Sequence, residues 1–313
     1  MNAWASIQRT LDYIEAHIAD EIQIEKLAGI AHLSLFYYHR LFTRLVKKPV
    51  REYAKLRRLA RACRSLADKG NRILDVALEY GFGSHETFTR AFKGAYGLTP
   101  SEYRNNPVSL SHFDKPDLLL GLAAIDEGAP LVSDGLVLEI NRKTLGEPVR
   151  FLGVSEQIRF EMGKMLGERP GVSAPGEVWG RLFKSIRGIP RVPGGRMLGV
   201  CYRGDAPEGH ATYFAGAEVG QAAESRGFAS WQMPAREYVV CAFEAESFGR
   251  LTDSLGKAMK FTRFWLKKRG LAADGFFPEI YYQNSPELAY MELWVPFRPR
   301  ENRAAAGLSE NFP

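Results

Sequence analysis

Apolar residues recur at steps of three and four positions through the first third of the chain. This period is typical of helices that bury one face, and short breaks divide the region into about seven of them. The last helix has a clear start, with Thr99 as N-cap, Pro100 in the first turn and Glu102 placed to bond back to the cap. We therefore predict an all-helical region over residues 1–104. The period is clearest in Trp4, Ile7, Leu11, Ile14 and Ile18.

The pattern changes after Arg104. Residues 105–135 are rich in Asn, Pro, Gly and Asp and are predicted to be mostly linker, with a short strand at 118–122. From Leu136 the order is strand, helix, strand, strand, followed by the same order again, which predicts two βαββ-type units sharing an antiparallel sheet. The fold class is then multidomain, an all-α N-terminal domain followed by an α+β C-terminal domain. The predicted strands are 136–144, 149–157, 197–203, 211–219, 237–246, 279–283 and 289–297, the helices are 176–187 and 248–269, and 300–313 is a flexible tail.

Two segments of the helical region, 24–46 and 73–97, share one architecture. Each has a short helix, a tight break and a second helix that starts at a serine, Ser34 or Ser84, which are good N-caps. This is the pattern of a helix-turn-helix, whose second helix reads the major groove of DNA. The amphipathic helix between them, 49–70, is predicted to hold the two reading helices at a fixed spacing. Readers about 34 Å apart enter successive major grooves on one face of DNA.

The charge distribution agrees with a nucleic-acid partner for the helical region. The net charge is +6, and residues 1–110 hold 17 Lys and Arg against 11 Asp and Glu, whereas the remainder holds 25 of each. The whole excess therefore lies in the first third, as expected for a DNA-binding unit joined to a neutral one. On charge alone, a chance surface imbalance has about equal weight.

Several function classes find no support. No apolar stretch is long enough for a transmembrane helix, the N-terminus has no secretion signal, and the three cysteines form no CxxC motif. No HExxH, GxSxG or phosphate loop occurs. We therefore expect a cytoplasmic protein that is not an enzyme, with no catalytic residues, no metal and no cofactor.

The run GFGSHETFTRAFKGAYGLTPSEYR over 81–104 closely resembles the signature of the AraC-type transcription regulators. The resemblance covers residues 1–104, with one departure at Lys48, where such regulators usually have Gly. It implies a double helix-turn-helix DNA-binding domain over 1–107. By position it implies base contacts from Phe36, His39, Arg40, His85, Glu86, Thr89 and Arg90, while Arg44, Lys47, Lys93 and the linker-helix arginines are candidates for phosphate contacts.

The last predicted strand carries the most suggestive chemistry of the C-terminal region. By period two, its apolar residues form one face, whereas Tyr290, Glu292 and Trp294 form the other. A carboxylate between two aromatic rings suits a cationic or amphipathic ligand. The alternative is a polar position whose glutamate pairs with a lysine or arginine of a neighbouring strand, or with Arg298, and periodicity alone favours this alternative.

The segments TYFAGAEV, WQMPAREYVVCAFEAE, PEIYYQ and YMELWVPF resemble the GyrI-like small-molecule-binding domain over roughly 133–299. The resemblance implies two βαββ-type units with a ligand cleft between them, preceded by a linker over 108–132. It implies Glu292 as the acidic ligand contact. The aromatic candidates for lining the cleft are Trp294, Tyr290, Trp231, Tyr281, Tyr202 and Phe214.

The two resemblances together imply a sequence-specific transcription regulator controlled by a small hydrophobic effector, which is cationic if Glu292 is its contact. The partners would be double-stranded promoter DNA, the effector and RNA polymerase, with no membrane. Some stand-alone members of the effector-domain family are thought to hydrolyse small electrophiles with a Glu and a Tyr. The alternative is therefore a GyrI-like hydrolase with an attached DNA-binding domain. A third hypothesis is a nonspecific DNA-binding or gyrase-interacting protein.

Overall fold

The computed structural model describes residues 3–120, 125–133, 136–245, 248–282 and 289–300. It separates into two compact units. The first consists of Met1–Ala123 together with Gly163–Ser173, and the second of Ala124–Met162 together with Ala174–Pro313. Apart from residue 300, the predicted flexible tail lies outside the described residues.

Residues 3–105 of unit 1 form seven helices, so the predicted all-α domain is confirmed. Ser34 and Ser84 accept hydrogen bonds from backbone N–H groups of the helices that follow them, as predicted for N-caps. Thr99 and Glu102 form a complete capping box. The helices are α1 (Ala3–Ala16), α2 (Ile24–Ala31), α3 (Leu35–Val46), α4 (Val50–Ala67), α5 (Ile73–Glu79), α6 (His85–Tyr96) and α7 (Pro100–Asn105).

Unit 1 has two separate hydrophobic cores, one for each helix-turn-helix. The first lies around Tyr38 and Phe42 of α3, and the second around Phe88 and Phe92 of α6. Helix α4 contributes to both, because its N-terminal half packs into the first core through Tyr53 and its C-terminal half packs into the second. The apolar stripe predicted for α4 is therefore buried along its whole length, and α4 joins the two cores.

The arginines of α4 have structural partners. Arg58 donates to the carbonyl oxygens of Ile18 at 2.7 Å, of Asp20 at 2.6 Å and of Gly81 at 3.3 Å, so it fixes the end of α1 beside the turn before α6. Arg61 donates to the buried carboxylate of Glu15 at 2.8 Å. These bonds give Arg58 and Arg61 structural roles, and contact of the linker-helix arginines with phosphates stays a prediction.

Helix α3 ends at a residue with left-handed backbone geometry. Lys47 has φ of +62° and its N–H bonds back to Thr43 O, just as Gly97 with φ of +84° closes α6. A side chain at such a position is strained, which is why glycine is common there. The residue that stands where such regulators usually have glycine is therefore Lys47 rather than Lys48.

The segment after α7 packs on unit 1. Phe113 lies in the first core, and Leu110 packs against the second. Leu110–Ser111 forms strand β1, which pairs antiparallel with β5 (Gly171–Val172). The strand predicted over 118–122 is wrong for its described residues. Leu118–Leu120 forms a turn, and its backbone N–H groups donate to the side chains of Gln8 and Asp117.

Unit 2 contains an antiparallel sheet of ten strands in its described part, in the order β2-β3-β9-β12-β11-β6-β7-β4-β8, with β10 beside β12. The strands are β2 (Leu131–Ser133), β3 (Leu136–Thr144), β4 (Val149–Arg159), β6 (Met197–Tyr202), β7 (His210–Val219), β8 (Ala229–Met233), β9 (Glu237–Ala245), β10 (Leu271–Ala273), β11 (Phe277–Tyr281) and β12 (Ala289–Pro299). The helices are α8 (Met162–Met165), α9 (Ala174–Ser185), α10 (Phe248–Asp253) and α11 (Leu255–Lys268). The helix predicted over 248–269 is thus two helices, and α8 contributes only Met162 to unit 2.

The predicted pair of βαββ units is present. One unit is β4, α9, β6 and β7, and the other is β9, α10 with α11, β11 and β12. Helix α9 lies on β4 and β7, whereas α11 lies on β9 and β12. The central pair of strands, β11 and β6, therefore lies between the strands that the two helices cover. In the described residues, no helix is long and apolar enough to cross a bilayer.

Candidate DNA-reading surface and effector site

Helix α3 presents exposed aromatic and basic side chains at its start. Phe36 is 68% exposed and Tyr37 is 60% exposed, and His39 and Arg40 are exposed one turn later. Exposed aromatic residues of this size are unusual unless they meet a partner. Three of these four residues were predicted to contact bases, whereas Tyr37 was missed because the periodicity does not distinguish it from a core position.

Helix α6 presents the second predicted set. His85, Glu86, Thr89, Arg90 and Lys93 line one surface depression of about 450 Å³. The Thr89 hydroxyl is buried in this surface and has no hydrogen-bond partner among the described residues. Its hydroxyl is therefore available to an incoming donor or acceptor. Hydrogen bonds from its own backbone and from Ser84 lower the pKa of Glu86, so its carboxylate accepts hydrogen bonds near neutral pH.

The three predicted phosphate contacts, Arg44, Lys47 and Lys93, are all exposed. Arg44 and Lys47 lie at the end of α3, and Lys93 lies in the last turn of α6. In both helices, cations thus lie C-terminal to the residues predicted to contact bases.

Glu292 is buried in unit 2 and has four hydrogen-bond donors around it. Only 1% of it is exposed. Tyr282 OH donates at 2.7 Å, Trp294 Nε1 at 2.8 Å, and the Tyr290 hydroxyl also donates. The ammonium of Lys143 lies 2.6 Å from Oε1 and 5.7 Å from the centre of the Trp294 ring. The predicted carboxylate and its two aromatic neighbours are therefore together, but the cation beside them belongs to the protein.

Burial on its own raises the pKa of Glu292, but the bonds from Lys143, Tyr290 and Tyr282 outweigh it and hold the pKa below its usual range. The carboxylate is thus ionised and its charge is compensated by Lys143. The partner expected as an alternative, Arg298, lies on β12 opposite Ala272 of β10. A ligand cation at Glu292 has to compete with Lys143.

The predicted aromatic residues divide between the two faces of the sheet. Trp231 lies within 6.4 Å of the rings of Tyr202 and Phe214, on the face that carries Glu292 and Trp294. Tyr281 lies on the opposite face, because residues paired across antiparallel strands share a face and Ile280 is the partner of Glu292. The seven predicted effector residues do not line one site.

A second buried glutamate, Glu279, lies on the face of Tyr281. It is 4% exposed and is paired in register with Gly199 at the centre of the sheet. Tyr281 OH donates to its Oε2 at 2.9 Å and Tyr213 OH donates at 3.1 Å. A Cβ atom at Gly199 would overlap the Tyr213 hydroxyl, so glycine makes room for this cluster.

Helix α9 covers the Glu279 cluster from above. Trp179 Nε1 donates to Tyr213 OH at 2.9 Å, and its ring packs edge-on against Tyr281 with centroids 5.0 Å apart. On its other side Trp179 stacks on Phe183, which is 55% exposed. A continuous aromatic path therefore leads from the surface of α9 to the buried carboxylate.

The Glu279 carboxyl has no positively charged partner in the part of the chain that the structure describes. Burial raises its pKa to about 7, although the bonds from Tyr281 and Tyr213 oppose the shift. Sequence reasoning missed this residue. The alternation in PEIYYQ places Glu279 and Tyr281 on one face of a strand, and that was the available signal. Within the described ranges, no group of three or more His, Cys, Asp or Glu side chains is placed to hold a metal ion.

Two family models match the chain. A model described as a helix-turn-helix domain matches residues 27–106, and a model described as a GyrI-like small molecule binding domain matches residues 143–298. The first spans both reading helices, and the second spans both buried glutamates. The two resemblances found in the sequence are thereby confirmed.

Relatives with assigned names match the N-terminal region. The HTH-type transcriptional regulator YbfP of Bacillus subtilis is 40% identical over 99 residues, which are 32% of this chain and 34% of that protein. The HTH-type transcriptional activator AarP of Providencia stuartii is 31% identical over 114 residues, which are 36% of this chain and 81% of that protein. The match thus spans about a third of the YbfP length but most of AarP.

A solved structure also matches this region. It is a transcriptional regulator with an AraC-type DNA-binding domain from Chromobacterium violaceum, with 24% identity and a TM-score of 0.31. The match covers 33% of this chain and 95% of that chain.

Proposed function

The chain belongs to the AraC-type transcription regulators with a GyrI-like small-molecule-binding domain. From this premise we propose that it binds promoter DNA through α3 and α6. We also propose that a small hydrophobic cation, bound at Glu279, controls its activity. The observation that carries the effector assignment is a buried carboxylate that has aromatic neighbours and, among the described residues, no cationic partner. The proposal covers the DNA target, the effector class and the residues that bind each.

The DNA part of the proposal rests on the chemistry of the two exposed helices. Arg40 and Arg90 suit the O6 and N7 acceptors of guanine, and Glu86 accepts from the N4 amino group of cytosine. Phe36 and the methyl group of Thr89 suit a thymine methyl. Arg44, Lys47 and Lys93 bind phosphates, which position the protein without reading sequence. RNA polymerase is proposed as a partner, and the cytoplasm, where promoter DNA lies, as the location.

Glu279 is the better of the two glutamates for a cationic effector. An ionised carboxylate in a buried site needs a positive partner. The described residues supply none at Glu279, whereas Lys143 supplies one at Glu292. A cation at Glu279 would replace the proton that the raised pKa retains there. The rings of Trp179 and Tyr281 would cover the apolar surface of the ligand by packing and cation–π contact.

The test compares Glu279→Gln with Glu292→Gln in the full chain. Each substitution keeps the volume and removes the charge of one buried carboxylate. The probes are hydrophobic aryl quaternary ammonium ions and neutral carbon isosteres of the same shape, and the readouts are melting-temperature shifts and calorimetric affinities. We expect Glu279→Gln to weaken the ammonium ions at least about tenfold while changing the neutral isosteres less than about twofold. Glu292→Gln should leave the preference for cations intact.

The same titration has an expected pH dependence. Below a pKa of about 7, the ligand has to displace a proton, so cation affinity should fall roughly tenfold for each pH unit below it and level off above it. If Glu292→Gln abolishes cation preference and Glu279→Gln does not, the effector carboxylate is Glu292. If none of the probes shifts the melting temperature, the cationic effector is refuted.

The hydrolase alternative has no support from the relatives, which carry the names of transcriptional regulators and activators. Glu279 does lie within hydrogen-bond distance of two tyrosines, but both hydroxyls donate to it and burial raises the pKa of each. That geometry gives neutral phenols rather than an activated nucleophile. We therefore keep a binding function for this site.

A further inference from the structure

Residues Gly163–Ser173 belong to unit 1, although the elements on both sides of them in sequence belong to unit 2. Strand β4 precedes this segment, and α9 begins at Ala174, directly after it. We name residues 163–173 the excursion segment. The chain therefore leaves the effector unit, packs within the DNA-binding unit and returns.

Backbone bonds at Gly167 and over 171–173 hold the excursion segment to the chain that follows α7. Asp114 N donates to Gly167 O at 2.7 Å, and Ser173 N donates to Ser109 O at 2.8 Å. Between these two bonds, β5 pairs with β1. A side chain at Gly167 would overlap the Asp114 carboxylate, so glycine at that position allows the close approach. Strand β5 also lies beside α6, the second reading helix.

The partner strand is attached to both hydrophobic cores of unit 1. His112 Nδ1 is hydrogen bonded to the hydroxyl of Tyr96, the last residue of α6, at 3.0 Å. The carbonyl oxygen of Phe113 accepts from Arg57 Nη1 of α4 at 2.7 Å, and its ring packs on Tyr53. A shift of β1 therefore acts on the end of the second reading helix and on the helix that joins the two readers.

The other end of the excursion segment leads directly to the Glu279 cluster. Ser173 is followed by α9, and Trp179 of α9 donates to Tyr213, which donates to Glu279. The indole that covers the buried carboxylate lies only six positions after Ser173 in the chain. We expect a cation that reaches Glu279 along the aromatic path to displace the ring of Trp179, which lies in α9.

We propose that the excursion segment transmits effector binding to the DNA-reading helices. Displacement of Trp179 moves the start of α9, which alters the bond at Ser173 and the pairing of β5 with β1, and β1 then shifts the ends of α4 and α6. Such coupling is reciprocal, so bound DNA changes effector affinity by the same factor as bound effector changes DNA affinity. The biological meaning of this coupling rests on the proposed function, but the mechanical link does not.

Hydrogen exchange tests the mechanical link without any ligand. Trp179→Phe removes the indole N–H donor while keeping an aromatic ring, and Lys184→Ala is a control on the exposed surface of the same helix. We expect the amides of Asp114 and Ser173 to exchange about fivefold faster in Trp179→Phe, as for the loss of one hydrogen bond. All amides in Lys184→Ala should keep their wild-type rates. Unchanged rates at Asp114 and Ser173 in Trp179→Phe would overturn the proposal.

DNA affinity tests the transmission itself. Gly167→Ala forces the excursion segment away from Asp114, whereas Gly209→Ala imposes the same positive-φ strain, at +75°, in open space. The probes are an aryl quaternary ammonium ion and a duplex selected by the full chain from a random pool. We expect the ion to change DNA affinity by at least about fivefold in wild type and Gly209→Ala, and by less than about twofold in Gly167→Ala. The ion alone should bind Gly167→Ala with wild-type affinity, because Gly167 belongs to unit 1 and the Glu279 cluster to unit 2.

The outcomes separate this inference from the proposed function. If Gly167→Ala responds to the ion as strongly as Gly209→Ala does, the excursion segment is not the transmitter. If the ion changes DNA affinity in none of the proteins while exchange at Asp114 and Ser173 still responds to Trp179→Phe, the link is present and the effector class is wrong.

Discussion

Replacement of Glu279 by glutamine should remove the part of the pH dependence of unit 2 stability that comes from this carboxyl. Burial raises the pKa of this carboxyl to about 7 in the folded chain, against an ordinary value of 4.5. The native state therefore holds a proton that the unfolded chain releases between these two values. Stability falls as pH rises wherever the native state binds more protons than the unfolded state. This carboxyl therefore leaves the free energy of unfolding unchanged below pH 4.5 and lowers it by the full penalty above pH 7.

The size of the penalty follows from the difference between the two pKa values. Each pKa unit corresponds to about 1.4 kcal/mol, which gives a penalty of roughly 3 kcal/mol for Glu279 at pH 8. Glutamine has a similar shape and can accept the same hydrogen bonds from Tyr213 and Tyr281, but it does not titrate. The stability of Glu279→Gln relative to wild type should therefore increase by roughly 3 kcal/mol between pH 4.5 and pH 8.

Urea unfolding at a series of pH values measures this difference. Four of the five tryptophans, including Trp179, lie in unit 2, so tryptophan fluorescence reports mainly on its unfolding. Other titrating groups affect both proteins equally and cancel in the difference. The control is Glu208→Gln, which removes an exposed carboxylate. A difference between Glu279→Gln and wild type that stays flat from pH 4.5 to pH 8 would refute the reasoning about a proton held at Glu279.

Three further predictions concern the DNA-binding unit. Arg90→Ala should lose about 1–3 kcal/mol of specific binding and relax discrimination at one base pair, and an equal loss on random DNA would make Arg90 a phosphate contact instead. DNA affinity should fall steeply with salt, and Arg44→Ala should lower the slope of log affinity against log salt by about one, whereas an unchanged slope would exclude a phosphate contact. Lys47→Gly should raise the stability of unit 1 by about 0.5–1 kcal/mol in urea unfolding, because it relieves positive-φ strain, and a loss of stability would contradict that account.

The helices and the repeated strand–helix–strand–strand order could be predicted from the sequence because they depend on local patterns. Ser34, Ser84 and Thr99 each act within the first turn of the helix that follows them, so their role is visible over four residues. Period two likewise separated Glu292 from the apolar face of β12. Such local rules place a residue on a face but do not identify what lies opposite it.

For that reason, the sequence could not predict the charge partners or the pKa shifts of the two buried glutamates. Lys143 reaches Glu292 from a strand 149 positions earlier in the chain, with β9 between the two strands. The pKa of Glu279 is raised because burial in the sheet, beside Gly199 and other residues far away in sequence, removes water without supplying a positive charge. The excursion segment was missed as well, since β1 and β5 have two residues each and carry no periodicity.

The two separate cores of unit 1 have a consequence for how such a protein changes over evolutionary time. We expect substitutions that repack the core around Phe42 to disturb the core around Phe88 little, because among the described residues the two cores meet at α4 and at Ala95 of α6. Each half of the recognition site can then drift, specialise or be lost while the other half continues to anchor the protein on its target. A new operator is therefore reached in two smaller steps, and intermediates that recognise half of the old site and half of the new one remain folded.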